Sequence, residues 1–224
     1  MNLMLIETAT GVCSVAMATD GRVTELRESS LPNAHSTLLP LFVRDLMPGQ
    51  LDGVCVSAGP GSYTGLRIGV STAKGICYAR NIPLLSVPTL QAMASLYFEE
   101  HPAFEGVVCP MIDARRMECY TMLVGREGVL RETQADVVEE GIYDRWLDQG
   151  EVMFVGNGAE KTREILGKHP NARYDDSFAI SARGLLGLAM QKWQRGETED
   201  VAYFEPFYLK DFVAKKSVVH GLRD

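Results

Sequence analysis

A glycine-rich turn is the first feature of the sequence that could do chemistry. Residues 54–56 form an apolar run, and the turn that follows reads GPGSYTG at residues 59–65. Glycines permit positive φ angles and bring bare backbone N–H groups to the start of a helix, where an anion can bind. The spacing G-x-G-x-x-x-G matches neither the dinucleotide fingerprint nor a P-loop. Two interpretations stay open: a plain strand-to-helix turn, or a nucleotide or phosphate contact made by Gly59, Gly61, Ser62, Thr64 and Arg67.

Two acids occupy equivalent positions in a chain that repeats itself. The run CPMID at residues 109–113 lies over LMLIE at residues 3–7, and VMFVGNG at residues 152–158 repeats VCVSAGPG at residues 54–61. Glu7 and Asp113 therefore each end the first strand of a repeated unit. The duplication predicts that both carboxylates face one cleft between two lobes.

The elements that must position these residues follow from hydrophobic periodicity and turn signals. In the first half we expect an antiparallel meander of strands at residues 3–6, 12–18 and 23–27, a helix at 36–47, the strand–turn–helix of 54–80, a strand at 84–87 and a Thr89-capped helix at 90–100. In the second half we expect the same pattern, with helices at 137–147 and 182–195. The predicted domains are an N-terminal lobe, 1–103, and a C-terminal lobe, 104–224, whose last segment packs back on the first lobe.

This two-lobed α/β architecture, each lobe a mixed sheet with helices, resembles the actin-like ATPase (ribonuclease H-like) superfamily. The resemblance implies that the first acid manages a metal ion, the second orients water or substrate, and the hairpin turns hold phosphates. The first hairpin turn carries Thr-Ala-Thr at residues 8–10, and the second carries Arg115 and Arg116, where a phosphate loop needs small residues. We expect Arg115 to pair with Asp113 or Glu7 across the cleft.

The helix predicted at residues 64–80 has more apolar surface than one sheet contact requires. Gly65, Gly69 and Ala73 form a stripe at i, i+4 and i+8 that has almost no side chain, and large apolar residues surround most of the remaining circumference. Each glycine costs about 1 kcal/mol relative to alanine, so packing must hold the helix. Together with the helix at 36–47, this pattern predicts a helix-to-helix partner interface made of Leu38, Leu39, Phe42, Leu46, Gly65, Leu66, Gly69, Val70 and Ala73. Gly69→Leu is then expected to break pairing and leave the fold intact.

Composition excludes several classes of protein. The 224 residues are 46% hydrophobic, and the sequence lacks a basic leader and any run of about 20 apolar residues, so we expect a cytoplasmic protein. The five cysteines are scattered and read as buried hydrophobes. A net charge of −7 argues against tight autonomous binding to nucleic acid. The short basic cluster Lys210, Lys215 and Lys216 is interpreted as a solvated face.

At this point the sequence resembles the TsaB (YeaZ-type) family of bacterial proteins, in the glycoprotease-like branch of the actin-like superfamily. The resemblance rests on IETAT at residues 6–10, GPGSYTGLRIG at 59–69, IDAR at 112–115 and EPFYL at 205–209. It implies a subunit without catalytic residues that supports TsaD, the enzyme placing a threonylcarbamoyl group on the adenosine next to the anticodon of tRNAs reading A-starting codons. It also implies TsaE as a partner, tRNA contact through the complex, a homodimer when TsaD is absent, and no cofactor of its own, with ATP or threonylcarbamoyl-AMP bound mainly by the partner complex.

The histidines agree with the absence of a metal site in this implied role. TsaD-like proteins hold a metal ion with two histidines at i and i+4, whereas here His35 is followed at i+4 by Leu39. No H-E-x-x-H motif is present, so we expect neither a metal site nor peptidase activity.

The alternative function is a self-sufficient ATPase or small-molecule kinase that uses Glu7 and Asp113 with a metal ion and the glycine turns on phosphates. The absent glycine-rich hairpin and the bulky Arg115 and Arg116 argue against it. A third hypothesis, a metalloprotease, follows only from an old family name.

Overall fold

Two five-stranded mixed sheets form the core of the computed structural model, which describes residues 1–210. The first sheet has the order β3-β2-β1-β4-β5 and the second has the equivalent order β8-β7-β6-β9-β10. In each sheet the first three strands of the chain are antiparallel neighbours, and the last two run parallel to the central strand. The strands are β1 Asn2–Glu7, β2 Cys13–Thr19, β3 Arg22–Ser29, β4 Gly53–Ser57, β5 Leu84–Val87, β6 Val107–Asp113, β7 Glu118–Gly125, β8 Gly128–Val137, β9 Val152–Val155 and β10 Ala172–Asp175. The predicted duplication and the predicted meanders are confirmed.

Seven α-helices are described within residues 1–210. They are α1 Ala34–Thr37, α2 Leu39–Leu46, α3 Tyr63–Arg80, α4 Thr89–Glu100, α5 Asp144–Leu147, α6 Arg163–Leu166 and α7 Leu186–Arg195, with 3-10 turns at Glu160–Thr162 and Ala182–Leu185. No helix in this part of the chain has the length and hydropathy needed to cross a membrane.

Both faces of the first sheet are covered, which explains why β1 and β4 have consecutive apolar residues, at 3–6 and 54–56, rather than apolar residues at alternate positions. Helices α2 and α3 pack on one face, around the side chains of Met4 and Val54. The turn at Ala182–Leu185 and helix α7 cover the other face. Helix α4 contributes to this second layer through Ala92, while its Leu90 and Met93 pack on the second sheet. Helix α4 therefore lies between the lobes.

Four expected elements differ from those observed. The helix expected at 182–195 begins with the 3-10 turn Ala182–Leu185, and α7 starts at Leu186. The helix expected at 36–47 is divided at Leu38 into α1 and α2, and Pro40 lies at the start of α2, where its missing N–H costs no hydrogen bond. The helix expected at 137–147 is reduced to α5, because β8 continues to Val137 while Asp136 accepts hydrogen bonds from buried Thr121 and Tyr143. The expected cap at Thr89 is absent, since its hydroxyl instead accepts the Gly59 N–H at 3.0 Å.

Intrachain packing occupies the glycine stripe of α3. A β-carbon at Gly69 would lie 2.1 Å from Thr8 Oγ1, and one at Gly65 would lie 2.1 Å from the Thr8 carbonyl oxygen. The Thr8 hydroxyl donates to the Gly65 carbonyl at 2.9 Å. The stripe therefore receives the β1–β2 loop of the same chain, and the expectation that Gly69→Leu leaves the fold intact is wrong.

Most residues of the expected partner interface lie inside the chain. Single-chain packing buries Leu39, Leu46, Gly65, Leu66, Gly69, Val70 and Ala73. Leu38 and Phe42 are half-buried, and the largest exposed apolar side chains on α2 and α3 are Leu41 and Tyr78. The wide apolar arc read from the sequence thus reflects contacts with the sheet and the β1–β2 loop on adjacent sides of α3.

After Ile180 the chain returns to the first lobe. The Ala182 N–H donates to Ser14 Oγ, and Glu199 pairs with Leu84 at the edge of β5. The boundary at residues 103 and 104 stays a prediction, and Lys215, Lys216 and His220 lie outside the described residues. All five cysteines are buried and free, as expected.

The helix–loop contact predicts opposite outcomes at two glycines of α3. Gly69→Ala should lower the free energy of unfolding by about 1–3 kcal/mol, because the added methyl group overlaps Thr8 Oγ1. Gly75 is exposed, and a β-carbon added there would have no atom of the described residues within 4 Å, so Gly75→Ala should raise that free energy by up to about 1 kcal/mol. Urea unfolding followed by circular dichroism compares the two variants, and equal stabilities would contradict the packing role of Gly69.

Candidate functional site

A cleft of about 650 Å³ lies where loops from both lobes meet. Most of its lining comes from the carboxyl ends of the parallel strands, the edge at which open α/β sheets bind ligands. The lining comprises residues 9–11, 61–64, 112–115 and 207–210, together with Asn33, His35, Tyr120 and Asn157. Beyond Thr10 and Asn157 a second cavity of about 510 Å³ extends to Met93 of α4.

Glu7 does not line the cleft, contrary to the sequence-based prediction. Its side chain is fully buried at the end of β1, where Oε1 accepts the Ala9 N–H at 2.5 Å and Oε2 has no hydrogen-bond partner among residues 1–210. Burial raises the pKa of Glu7 to about 7, and the Ala9 N–H only partly opposes that rise. Near neutral pH this carboxyl group is therefore partly protonated.

Asp113 does line the cleft, and its charge is compensated. Lys161 forms an ion pair with Asp113 Oδ1, and the Arg115 backbone N–H donates to the same oxygen at 2.9 Å. Burial alone would raise the pKa of Asp113, but the Lys161 ammonium and these hydrogen bonds hold the pKa below its ordinary value. The expected partner, the Arg115 side chain, forms no ion pair with any residue in the described range.

Lys161 is a residue of the site that was not predicted from the sequence. The signal that could have found it is the repeat itself, because aligning Gly158 with Gly61 places Lys161 opposite Thr64. At this position beside the cleft, the first repeated unit therefore has the hydroxyl group of Thr64 and the second has the ammonium group of Lys161.

The glycine turn follows β4, and its main role is to let its backbone pack closely against the β1–β2 loop. A β-carbon at Gly61 would lie 2.3 Å from the Ala9 carbonyl oxygen, and the Ser62 N–H donates to that oxygen at 2.6 Å. Ser62 is the N-cap of α3, and its hydroxyl accepts the Gly65 N–H. With the Gly59 N–H bound by Thr89, three N–H groups of the turn already have partners within the chain.

The exposed residues of the predicted phosphate contact are Ser62, Thr64 and Arg67. Arg67 lies over the Tyr63 ring and donates to the Tyr63 hydroxyl at 2.9 Å. A phosphate contact at Gly59, Gly61, Ser62, Thr64 and Arg67 stays a prediction.

The C-terminal segment, residues 205–210, is the other part of the cleft that sequence analysis did not place there. The Phe207 N–H donates to the Ala58 carbonyl at 2.7 Å, and the Tyr208 and Tyr63 ring centroids lie 5.0 Å apart. Lys210 forms an ion pair with Glu118 of β7. The aromatic residues of the run EPFYLK, at residues 205–210, are the sequence signal that could have placed this segment in the cleft.

The three described histidines contact groups of the same chain. His35 Nε2 lies 3.1 Å from the Val12 carbonyl oxygen, His101 lies 3.5 Å from Asp175, and His169 lies 3.4 Å from Asp148. Within residues 1–210, no three side chains of His, Cys, Asp or Glu are close enough to hold a metal ion.

The chain is similar to one protein family across most of its length. The family model described as "TsaD: tRNA N6-adenosine threonylcarbamoyltransferase" matches residues 34–218. The tRNA threonylcarbamoyladenosine biosynthesis protein TsaB of Escherichia coli is 31% identical over 97% of this chain and 98% of its own length. The TsaB protein of Haemophilus influenzae is 28% identical over 97% of both chains.

A solved structure shares the fold. YeaZ from Pseudomonas aeruginosa matches with a TM-score of 0.78 and 28% identity over 93% of this chain and 99% of that chain. Together with the two equivalent mixed sheets, this similarity confirms the predicted duplicated actin-like lobes.

The buried carboxyl group of Glu7 predicts a specific pH dependence of stability. Because the pKa of Glu7 is raised in the folded state, folding takes up a proton, so stability falls as pH rises from about 4.5 to about 7 and is level above that range. The expected loss is roughly 3 kcal/mol. Glu7→Gln has no titrating group at this position, so this pH-dependent loss of stability should be absent in the variant.

The measurement is urea unfolding of both proteins at several pH values between 5 and 8. The difference in unfolding free energy between wild type and Glu7→Gln isolates the Glu7 contribution from that of other carboxylates. A difference that does not change with pH would contradict the raised pKa of Glu7.

Proposed function

Because this chain belongs to the TsaB family of tRNA threonylcarbamoyladenosine biosynthesis proteins, we propose that it binds and supports the catalytic subunit TsaD and performs no chemistry of its own. Its role in tRNA threonylcarbamoyladenosine biosynthesis follows from similarity over nearly the whole chain. What we propose is that TsaD carries out the catalysis, that this chain supports TsaD, and that TsaE is a further partner.

The observation that carries the non-catalytic role is the state of the two equivalent acids. Glu7 is sealed from solvent and partly protonated near neutral pH, and a protonated carboxyl group is a poor metal ligand. Asp113 is neutralised by Lys161. Neither acid is therefore prepared to hold a metal–nucleotide complex or to activate water, which disfavours the alternative of a self-sufficient ATPase or kinase.

The surface that fits the supporting role is the outer side of α2 and α3. These helices cover the same face of the first sheet. Their exposed apolar side chains are Leu41 and Tyr78, and Leu38, Phe42 and Ile68 on and beside the same helices are half-buried. Exposed aromatic and aliphatic side chains on a rigid helical layer are typical of protein–protein contacts. We assign TsaD to this surface, and a second copy of the chain to the same surface when TsaD is absent.

Nucleotide and tRNA then belong to the complex. The chain has a net charge of −7, so most phosphate contacts with tRNA must come from other subunits. ATP or threonylcarbamoyl-AMP is likewise assigned mainly to TsaD and its associated proteins.

Leu41→Glu should weaken TsaD binding at least tenfold, because a desolvated carboxylate would replace an apolar contact in the interface. Leu130→Glu is the matched control, since Leu130 is 51% exposed on β8 of the other lobe, compared with 42% for Leu41. Isothermal titration calorimetry with purified TsaD gives both dissociation constants. Equal binding by the two variants would contradict the assigned surface.

A reconstituted reaction tests the division of labour. TsaD, TsaE, threonylcarbamoyl-AMP and tRNA should yield modified tRNA only when this chain is added, and Leu41→Glu should lower the yield at limiting concentrations but not at saturating ones. Nucleotide turnover or tRNA modification by the purified chain alone would overturn the proposed function.

A further inference from the structure

The segment at residues 205–210 crosses from one lobe to the other at the cleft. Upstream, it is anchored to the first lobe: the Lys74 ammonium donates to the Ala202 and Phe204 carbonyl oxygens at 3.1 and 3.0 Å, and Phe204 packs on the first core. These contacts fix where the segment enters the cleft.

Within the cleft the segment is tied to the glycine turn. The Phe207 N–H donates to the Ala58 carbonyl, and the Phe207 carbonyl oxygen would lie only 2.5 Å from a β-carbon at Gly59. Gly59 has φ +109, so both its conformation and the close approach require glycine. The Tyr208 ring then packs on Tyr63 at the start of α3.

The last described residue reaches the second lobe. Lys210 is paired with Glu118 at the first position of β7, and Glu118 is only 19% exposed. The Glu118 carbonyl oxygen accepts the Lys161 ammonium at 2.7 Å, so this position is connected to the ion pair of Asp113. On the side of the second cavity, the lobes are joined by α4.

We propose that residues 205–210 form a strap that holds the two lobes together across the cleft, at a distance from the connection made by α4. The strap is anchored on the first lobe and closed on the second by the Lys210–Glu118 pair. Its aromatic side chains occupy one wall of the cleft, so the strap fixes the width of the cleft and limits the access of a ligand. This inference concerns the isolated chain and does not depend on TsaD.

Hydrogen exchange followed by mass spectrometry of the full chain tests the strap. Lys210→Glu places two carboxylates side by side and should accelerate exchange at residues 113–118 roughly fivefold, the factor expected from an exposed charge pair worth about 1 kcal/mol. Tyr208→Ala should accelerate exchange at residues 59–63. Exchange in β1 and β4 should not change in either variant.

Lys168→Glu is the matched control, because Lys168 pairs with Glu140 within the second lobe. It should leave residues 113–118 unchanged. The double variant Glu118→Lys/Lys210→Glu should restore slow exchange, since the pair is re-formed with its charges exchanged. If Lys210→Glu exchanges like wild type, or if the double variant stays as fast as Lys210→Glu, the strap is overturned.

A distance measurement tests the lobes themselves. The native cysteines are buried, so spin labels on Ser36→Cys and Glu160→Cys report one position on each lobe. With the strap released by Lys210→Glu, the distance distribution between the labels should broaden, whereas Lys168→Glu should leave it unchanged. An unaltered distribution in Lys210→Glu would overturn the strap, because the other contacts between the lobes would then be sufficient to hold them.

Discussion

The close approach of α3 to the β1–β2 loop is the contact on which the rest of the structure depends. Backbone and side-chain atoms of Thr8 and Ala9 occupy the space that β-carbons would fill at Gly61, Gly65 and Gly69. The run of glycines lowers the intrinsic stability of the helix, so the gain must come from tertiary packing. Because the loop lies under the start of α3, Glu7 is buried beneath it, and the desolvation of its carboxyl group raises the pKa of Glu7.

This contact supports the proposal that the chain performs no chemistry of its own. A metal–phosphate group would need a deprotonated carboxylate as a ligand and free backbone N–H groups to bind the phosphate. Here the first acid is sealed, and N–H groups of Gly59, Ser62 and Gly65 are bound within the chain. The same residues that make the glycine turn conspicuous in the sequence thus serve the packing of one lobe. Asp113 lines the cleft, but its carboxylate forms an ion pair with Lys161.

Local patterns were sufficient to predict most of the fold. The alternation of apolar residues and the turn signals predicted the meanders, because both depend on neighbours in the chain. The repeat of LMLIE as CPMID predicted the two lobes. The faces of α3 could not be predicted, since its glycine stripe is compatible with a partner helix or with a loop of the same chain. The choice between them is made by Thr8, which lies 57 residues before Gly65. For the same reason Lys161 was missed and Lys210 was interpreted as part of a solvated face, because their partners Asp113 and Glu118 are distant in sequence.

The two halves of the duplication have diverged in the element that follows the glycine turn. After Gly61 the chain forms α3, a helix of 18 residues, whereas after Gly158 it forms a 3-10 turn and the four-residue helix α6. Gly167 and Pro170 end the second helix early, because neither residue favours a helix interior. Within residues 1–210, the second lobe therefore has no helix as long as α3 at the equivalent position, and α3 is one of the two helices of the surface proposed for TsaD. In the second lobe, α4 packs on the sheet and Glu118 pairs with Lys210, so the part of this lobe in the proposed strap is to close the cleft.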